Sequence, residues 1–211
     1  MDYLTVAMAK GRTAERAMKF LEKSDVRFSE WTDDSRKLVI FDDKKTIKLI
    51  FVKAVDVPVY VEKGAADVGI VGKDVMMEDP RDVYELLDLG IGKCQLAVAG
   101  FPDTPVNNIP FLTVASKYPL VAKEYFDKKG IRTDMIKLNG SIELAPLIGM
   151  SDVIVDIVET GTTLKENGLV VLEEMADVSA RLIVNKASYA TKTECIQQFI
   201  KDMKEGLEVR S

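Results

Sequence analysis

Apolar and polar residues alternate along this chain in two different periods, which predict short strands and amphipathic helices. Residues Tyr3–Met8 form a mainly apolar run of strand length. Between Thr13 and Lys23 the apolar residues recur at the spacing of a helix face, which predicts a helix. The residues on that face are Ala14, Ala17, Met18 and Leu21. The runs Lys37–Phe41 and Thr46–Val52 flank the polar turn Asp42–Lys45 and predict a β-hairpin.

Strand and helix patterns continue to alternate through the rest of the chain. Strands are predicted at Asp67–Val71, before the turn Gly72–Asp74, and at Cys94–Gly100, Phe111–Ala115, Ile131–Leu138, Asp152–Val155 and Arg181–Val184. Helices are predicted from Val55 to Gly64, from Tyr118 to Lys129, and from Ser141, as the N-cap, to Gly149. A last helix is predicted after a capping box of Thr191 and Glu194. Its apolar face consists of Ile196, Phe199, Met203 and Leu207. Such alternation is typical of an α/β protein.

A weak internal repeat indicates that these elements form two similar lobes. Gly64 and Gly149 are 85 residues apart (149 − 64), and Asp67 and Asp152 have the same separation (152 − 67). We therefore expect a two-lobed α/β fold, with residues 1–92 plus 180–211 in lobe I and residues 93–179 in lobe II. Each lobe would present loops at its strand ends to a shared cleft, where we expect the active site.

The strongest chemical signal is an apolar run that ends in carboxylates and a hydroxyl-rich turn. Asp152–Val155 predicts a buried, parallel strand, and the turn Thr160–Thr163 has amides and hydroxyls that can face one anion. Asp156 and Glu159 lie between them and can accept hydrogen bonds from ribose hydroxyls or bind Mg²⁺. This combination suits a phosphorylated sugar, and the alternative is an ordinary turn that ends a strand.

Two groups of cations follow the first strands. Lys10 and Arg12 flank Gly11 in the loop between the first strand and the first helix, a position where α/β proteins hold ligands. Arg36 and Lys53 lie level with each other at the open end of the predicted hairpin. Lys10 and Arg12 would strengthen an anion site in their loop, and the alternative is two solvated charges at a turn.

The absence of histidine excludes several catalytic mechanisms. The sequence contains no histidine, so a Ser/His/Asp triad, a Cys/His dyad and a histidine-ligated metal are impossible. Any chemistry must use Lys, Arg, Asp, Glu, hydroxyl groups and backbone dipoles. This favours electrostatic catalysis on an anionic substrate.

Composition narrows the class of protein further. A chain of 211 residues with 47% apolar residues can bury the core of one large α/β unit or of two lobes. The net charge of −5 argues against a large nucleic-acid interface. Cys94 and Cys195 are expected to be small core residues, not parts of a disulfide or zinc site. The start, Met1–Leu4, lacks a signal-peptide pattern and the apolar runs are strand-sized, so we expect a cytoplasmic protein without a membrane span.

Several motifs, in this order, resemble those of a known enzyme family. They are K-G-R at Lys10–Arg12, D-S-R-K-L at Asp34–Leu38, G-A-A-D-V-G-I-V-G-K-D-V at Gly64–Val75, K-L-N-G-S-I-E-L-A-P-L-I-G at Lys137–Gly149 and D-I-V-E-T-G-T-T-L-K-E-N-G-L at Asp156–Leu169. Together they span nearly the whole chain and resemble ATP phosphoribosyltransferase in its short form, the first enzyme of histidine biosynthesis. The resemblance implies a fold similar to that of type II periplasmic binding proteins.

The resemblance also implies a reaction and roles for individual residues. The 5-phosphoribosyl group of phosphoribosyl pyrophosphate would pass to N-1 of the adenine of ATP, with release of pyrophosphate and with Mg²⁺ bound to the pyrophosphate substrate. The implied phosphoribosyl pyrophosphate-binding residues are Asp156, Glu159, Thr160, Gly161, Thr162 and Thr163. The implied ATP- and pyrophosphate-binding residues are Lys10, Gly11, Arg12, Lys73 and Glu143. Arg36 and Lys53 are the implied catalytic residues, and the metal ligands stay open.

The short form implies a partner. Long members of the family carry an additional C-terminal regulatory domain, for which this chain has no room after residue 211. Short members work with a regulatory subunit that resembles histidyl-tRNA synthetase, usually in a hetero-octamer. We therefore expect such a partner, a homodimer of the isolated chain, and no binding to nucleic acid or membrane.

Two alternatives stay open at this point. The segment D-I-V-E-T-G-T-T resembles the D-D-x-x-T-G-x-T loop of type I phosphoribosyltransferases, although Ile157 replaces the second acidic residue and the motifs at Lys10 and Gly64–Val75 have no place there. A non-enzymatic solute-binding protein or effector domain would use the same two-lobed fold. The lack of an export signal and of a helix-turn-helix segment disfavours this second class.

Overall fold

The computed structural model describes residues 3–32 and 35–208. In chain order the elements are β1 Leu4–Met8, α1 Arg12–Lys23, β2 Val39–Phe41, β3 Ile47–Phe51, a 3₁₀ helix Ala54–Asp56, α2 Val57–Glu62, β4 Val68–Gly72, α3 Lys73–Glu78, β5 Tyr84–Asp88, β6 Cys94–Gly100, a 3₁₀ helix Val106–Asn108, β7 Phe111–Ser116, α4 Pro119–Lys128, β8 Arg132–Lys137, α5 Leu144–Leu147, β9 Val153–Val158, α6 Thr162–Glu166, β10 Val170–Val178, β11 Ala180–Val184, α7 Lys186–Thr191 and α8 Thr193–Glu208. This mixture confirms the predicted α/β class.

The chain divides into two units. The first unit comprises residues 1–92 and 179–211, and the second comprises residues 93–178. Ser179 belongs to the first unit because its carbonyl accepts the N–H of Lys73 at 2.9 Å and its hydroxyl donates to Asp88 at 2.6 Å. The first unit is therefore built from two separate segments of the chain.

The sheet of the first unit has the strand order β2-β3-β1-β4-β11-β5. β1 runs parallel to both β3 and β4, whereas β11 runs antiparallel to β4 and β5. α1 and α8 pack on one face of this sheet, and α2 and α3 cover the other. The predicted apolar faces of α1 and α8 are confirmed, since Leu21, Ile196, Phe199 and Met203 are buried.

The sheet of the second unit repeats this arrangement. Its strand order is β10-β6-β9-β7-β8. β7 runs parallel to β8 and β9, and β6 runs antiparallel to β9. The central strands β1, β3, β4 and β11 of the first unit therefore correspond to β7, β8, β9 and β6 of the second.

The sequence repeat marks equivalent points of these two sheets. Gly64 and Gly149 both have φ of +71°, a left-handed conformation that favours glycine. The Asp67 carboxylate accepts the N–H of Thr5 at 2.9 Å, and the Asp152 carboxylate accepts the N–H of Thr113 at 2.7 Å. In each unit an aspartate just before one strand thus binds the backbone of its parallel neighbour.

Some predicted helices differ from the structure. The segment predicted as one helix from Val55 to Gly64 is a 3₁₀ turn followed by α2, in which Pro58 fits the first turn. The helix predicted from Ser141 is only the short α5, and Ser141 has φ of +50° instead of capping it. Pro146 lies in the first turn of α5, where its missing N–H removes no intrahelical hydrogen bond.

Other predicted boundaries also need correction. The predicted turn at Gly72–Asp74 is the start of α3. The predicted capping box is wrong because Thr191 ends α7 and α8 starts at Thr193. Asn185 caps α7 instead, accepting the N–H of Ser188 at 2.9 Å.

Cys94 and Cys195 are not joined in a disulfide, and neither is a fully buried core residue. Cys94 is half-buried and Cys195 is exposed, so the predicted core role is wrong for Cys195. Among the helices in the described residues, none is both long and apolar enough to cross a membrane.

Candidate active site

A pocket of about 210 Å³ opens in the second unit where β9 ends. The residues that line it are Ala97, Ala99, Glu143, Ile154, Asp156, Ile157, Val158, Glu159, Thr160, Gly161, Thr162, Thr163 and Leu164. The structure thus brings together all residues that were predicted to bind the phosphorylated sugar. Ligands of α/β proteins commonly bind at such carboxyl ends of strands.

β9 places Asp156 at the point where the sheet interior meets the pocket. The first half of the strand, Val153–Val155, is buried and anchors it in the sheet. Asp156 is half-buried, and its Oδ1 accepts the N–H of Ile157 at 2.8 Å. This bond to the adjacent backbone restrains the carboxylate at the pocket wall.

The hydroxyl loop, Thr160–Thr163, has a compact turn geometry. Gly161 has φ of +71°, which explains glycine between the threonines. The Oγ1 atoms of Thr160 and Thr162 lie 3.0 Å apart, and the N–H of Thr162 donates to Thr160 Oγ1 at 3.4 Å. Buried Leu164 fixes the loop on the core. The hydroxyls of Thr160 and Thr162 therefore lie together in the lining of the pocket, an arrangement that suits a phosphate group.

Glu143 adds a third carboxylate to this pocket. It directly precedes α5, is half-buried and makes no side-chain capping bond to that helix. The sequence placed Glu143 with the cations that bind ATP and pyrophosphate, whereas the structure places it in the pocket with Asp156 and Glu159. Among the described lining residues there is no Lys or Arg.

The described part of the chain contains no preformed metal centre. Within residues 3–32 and 35–208, no group of three or more Asp, Glu or Cys side chains is placed so that it could hold a metal ion. The carboxylates of the pocket can thus supply one or two ligands to a metal that the substrate brings, but not a complete site.

The predicted cations of the first unit lie along one edge of its sheet. Lys10 follows β1, Lys53 follows β3 and Lys73 directly follows β4. β1 pairs in parallel with both neighbours, through Met8 with Phe51 and through Met8 with Ile70, so the three strands end at the same edge. The structure therefore gathers cations that are far apart in sequence.

Lys10 also contacts the loop that carries Arg36. The Lys10 ammonium donates to the carbonyl of Ser35 and lies 5.4 Å from the centre of the Phe51 ring. Arg36, the next residue, is exposed. Asp34 of the D-S-R-K-L motif lies outside the described residues.

The loop between Lys10 and Arg12 depends on glycine. Gly11 has φ of +96°, a conformation that side chains rarely adopt, and it starts α1 without a side-chain cap. Glycine at this position therefore lets the chain turn sharply from β1 into the helix between its two cations.

Lys73 is already paired within the first unit. Its ammonium lies 2.6 Å from Glu85 Oε2, and Glu85 also lies 3.5 Å from the Arg181 guanidinium. Lys73 therefore differs from Lys53, which is exposed beyond the end of β3.

The small residues of β6 were missed by the sequence predictions. Ala97 and Ala99 line the pocket and are almost fully buried. Their signal in the sequence is the run C-Q-L-A-V-A-G, in which small residues occupy alternate positions and therefore one face of a strand.

Comparisons with known proteins agree with one another. The family model described as HisG: ATP phosphoribosyltransferase matches residues 53–205. An ATP phosphoribosyltransferase from Oceanobacillus iheyensis is 52% identical over 200 residues, which are 95% of this chain and 96% of that protein. One from Clostridioides difficile is 54% identical over 202 residues, which are 95% of this chain and 97% of that protein.

Solved structures give the same result. A chain of the ATP phosphoribosyl transferase (HisG:HisZ) complex from Thermotoga maritima superposes with a TM-score of 0.85 at 35% identity, covering 97% of this chain and 98% of that one. The periplasmic aliphatic sulphonate-binding protein SsuA from Escherichia coli has a TM-score of 0.63 at 13% identity, covering 98% and 72%. This second likeness concerns the fold alone, and it confirms the predicted similarity to periplasmic binding proteins.

These relatives decide between the open alternatives. Proteins that match nearly the full length at about half identity are ATP phosphoribosyltransferases, not type I phosphoribosyltransferases or solute-binding proteins. This chain therefore belongs to the ATP phosphoribosyltransferase family.

Proposed function

We propose that this chain performs the ATP phosphoribosyltransferase reaction with the second-unit pocket as the site of the phosphoribosyl group. The reaction moves the 5-phosphoribosyl group from phosphoribosyl pyrophosphate to N-1 of the adenine of ATP, releases pyrophosphate and is the first step of histidine biosynthesis. The observation that carries the proposal is one pocket that combines the hydroxyl loop with Asp156 and Glu159 in a chain of this family.

The hydroxyl loop is the proposed site of the 5-phosphate. A phosphate has acceptor oxygens only, and Thr160, Thr162 and Thr163 with the loop amides offer donors. The 3.0 Å separation of the Thr160 and Thr162 Oγ1 atoms lets both hydroxyls contact the same anion. Gly161 provides the backbone turn that directs these groups to one side.

The carboxylates are the proposed site of the sugar. Asp156 and Glu159 accept hydrogen bonds from the ribose hydroxyls, which are donors that a carboxylate binds strongly. Glu143 lines the same pocket, so we assign it to this substrate and not to the ATP phosphates.

Mg²⁺ enters this proposal as part of the pyrophosphate substrate. The described residues form no complete metal centre, and Mg²⁺ is commonly held by one or two carboxylates together with substrate phosphates and water. Its chemical contribution is to offset charge on the pyrophosphate.

The reaction needs no strong base. N-1 of adenine has a lone pair, which forms the new bond to C-1 of the sugar while the bond from C-1 to pyrophosphate breaks and its electron pair leaves with pyrophosphate. The task is to position two polyanions and to stabilise the negative charge of the leaving group. This explains how a chain without histidine can act as an enzyme.

The cations of the first unit take the second role. Lys10, Arg12, Arg36 and Lys53 are the proposed ligands of pyrophosphate and of the ATP phosphates, with Arg36 and Lys53 as catalytic residues. Lysine at position 53 supplies a point charge without the bidentate geometry of arginine. Lys73 is proposed to contribute to ATP binding while it stays paired with Glu85.

A regulatory partner is part of the proposal. The Thermotoga maritima relative, which matches over nearly its whole length, is a component of a HisG:HisZ complex. We infer that this chain likewise works with a regulatory subunit that resembles histidyl-tRNA synthetase, in a hetero-octamer, and forms a homodimer when alone.

The direct test is the reaction itself. The chain is incubated with ATP, phosphoribosyl pyrophosphate and Mg²⁺, with and without the partner, and the absorbance of N-1-substituted adenine is followed. Product that forms only when both substrates are present supports the assignment. Absence of product even with the partner contradicts it.

The pocket assignment has its own test. Thr162→Ala removes a donor to a charged group and should raise KM for phosphoribosyl pyrophosphate about tenfold or more. Thr104→Ala is the matched control, because Thr104 lies in the same unit but does not line the pocket. Equal KM values in the two variants would show that the phosphate binds elsewhere.

A further inference from the structure

β6 forms part of the wall of the second-unit pocket. Ala97 and Ala99 both line the pocket, with relative exposures of 0% and 1%. Their neighbours Leu96 and Val98 are also buried but point to the other face of the sheet. At the pocket, the strand therefore presents the small residues Ala97 and Ala99 on one face and the larger Leu96 and Val98 on the other.

The strand pairing places these alanines beside functional residues. β6 and β9 are antiparallel, with Ala97 opposite Asp156 and Ala99 opposite Ile154. Side chains directly opposite each other in such a pair lie on the same face, with Cβ atoms about 4.5–5.5 Å apart. Any larger side chain at position 97 would occupy the space beside the Asp156 carboxylate.

The first unit provides an internal comparison. In its equivalent pair of strands, Arg181 lies opposite Val71 and Ile183 opposite Gly69. Val71 and Gly69 precede Asp156 and Ile154 by the repeat distance of 85 residues (156 − 71 and 154 − 69). Arg181 and Ile183 therefore hold the positions of Ala97 and Ala99. Arg181 shows that this sheet architecture accepts a large residue at the position of Ala97. Ile183 packs against Gly69, whose missing side chain leaves it room, whereas Ala99 lies opposite the larger Ile154.

We propose that Ala97 and Ala99 determine the size of the phosphoribosyl pocket. Their methyl groups leave the space in which the pentose ring lies against Asp156, while the hydroxyl loop holds the phosphate. This inference rests on the proposed function of the pocket and adds a determinant of specificity for the sugar. Both alanines act by shape, since a methyl group offers no hydrogen bond.

The test replaces each alanine by valine. Valine suits a strand, so Ala97→Val and Ala99→Val should fold, but each adds two carbon atoms to the pocket wall. We expect KM for phosphoribosyl pyrophosphate to rise roughly 10–200-fold, the effect of a methylene-sized mismatch in a binding pocket. KM for ATP should not change, and calorimetric titration with phosphoribosyl pyrophosphate alone should show the same loss of affinity.

Ala115→Val is the matched control. Ala115 is fully buried on β7, lies opposite Ile154 on the other side of β9 and belongs to the same apolar cluster as Ala99. It does not line the pocket. Its valine variant should lose a comparable amount of thermal stability and keep the KM of the unsubstituted chain for both substrates.

The outcomes separate this inference from the pocket assignment. If Thr162→Ala raises KM for phosphoribosyl pyrophosphate while the valine variants match Ala115→Val, the size inference is overturned and the phosphate site stands. If none of these variants changes that KM, the pocket assignment itself is wrong. Ala97→Ser, with one added atom, gives a smaller rise when the inference holds and decides the matter if Ala97→Val does not fold.

Discussion

Asp67 and Asp152 occupy equivalent positions in the two units, but their surroundings predict very different effects on stability. The Asp67 carboxylate accepts hydrogen bonds from the N–H of Thr5 at 2.9 Å, the hydroxyl of Ser188 at 2.7 Å and the ammonium of Lys192 at 2.9 Å. Its side chain is only 8% exposed. Asp152 is exposed and accepts the N–H of Thr113 at 2.7 Å.

The perturbation is the substitution of asparagine at each site, which keeps the shape and one acceptor oxygen but removes the charge. Asp67→Asn leaves Lys192 without its ion-pair partner and Ser188 without an acceptor. Breaking a buried ion pair costs about 3–5 kcal/mol, and because Lys192 is partly exposed the expected loss is near the lower figure, about 3 kcal/mol. Asp152→Asn should cost about 0.5–1 kcal/mol, since one hydrogen bond at an exposed site is weakened.

The effect of Asp67 must also depend on pH. Burial alone would raise the pKa of Asp67, but the hydrogen bonds from Thr5, Lys192 and Ser188 outweigh it and hold the pKa below the usual value. A carboxyl group with a lowered pKa in the folded state stabilises the fold fully above its unfolded pKa of about 3.9. This stabilisation is lost as the pH falls through the lower folded value. The difference between Asp67→Asn and the unsubstituted chain should therefore shrink below about pH 4.

The assay is urea unfolding followed by circular dichroism at neutral pH and again at the lowest pH at which the chain stays folded. The free energies of unfolding of the two variants are compared with that of the unsubstituted chain. Equal losses for Asp67→Asn and Asp152→Asn would refute the argument from burial. A difference for Asp67→Asn that stays constant down to acid pH would refute the assigned charge state.

Two further predictions concern the cations and the second-unit scaffold. Arg36→Ala and Lys53→Ala should each lower kcat about 10²–10³-fold, by analogy with loss of a transition-state donor. Lys44→Ala, in the exposed hairpin turn, is the control and should leave kcat unchanged. If either Arg36→Ala or Lys53→Ala keeps kcat within a few-fold of the unsubstituted chain, that residue is not catalytic. Glu173→Gln should lower the free energy of unfolding by about 1–2 kcal/mol without changing KM for either substrate. The reason is that the Glu173 carboxylate lies 2.6 Å from the Lys129 ammonium and its side chain is only 18% exposed. Thermal melting measures the loss of stability, and an unchanged melting midpoint would contradict the prediction.

The elements that were predicted well have strong apolar periods. α1, α8 and β6 each bury one face or all of their length, so the spacing of apolar residues reports directly on their packing. β5 was missed because it is an edge strand whose residues are mostly exposed. β10 was missed because its register with β6 shifts twice, which breaks the alternation expected of a strand.

Of the candidate site, only the residues that are contiguous in sequence could be predicted together. The hydroxyl loop, Asp156 and Glu159 are contiguous in sequence, so one local motif identifies them together. Glu143 and Ala97 reach the same pocket from distant segments. Their membership depends on the placement of α5 and on the pairing of β6 with β9, which no local pattern contains.

The amino-acid sequence by itself determined which functional groups this protein can use for binding and catalysis. It excludes histidine chemistry, supplies a loop of hydroxyls beside carboxylates and places cations after strands, because residue type and short-range spacing are local properties. Only the tertiary structure decided which of these groups share a pocket, that Lys73 is paired with Glu85, and that small residues of β6 face Asp156. Strand order and register arise from the packing of remote segments against each other, and such contacts are formed only when the whole sheet is assembled.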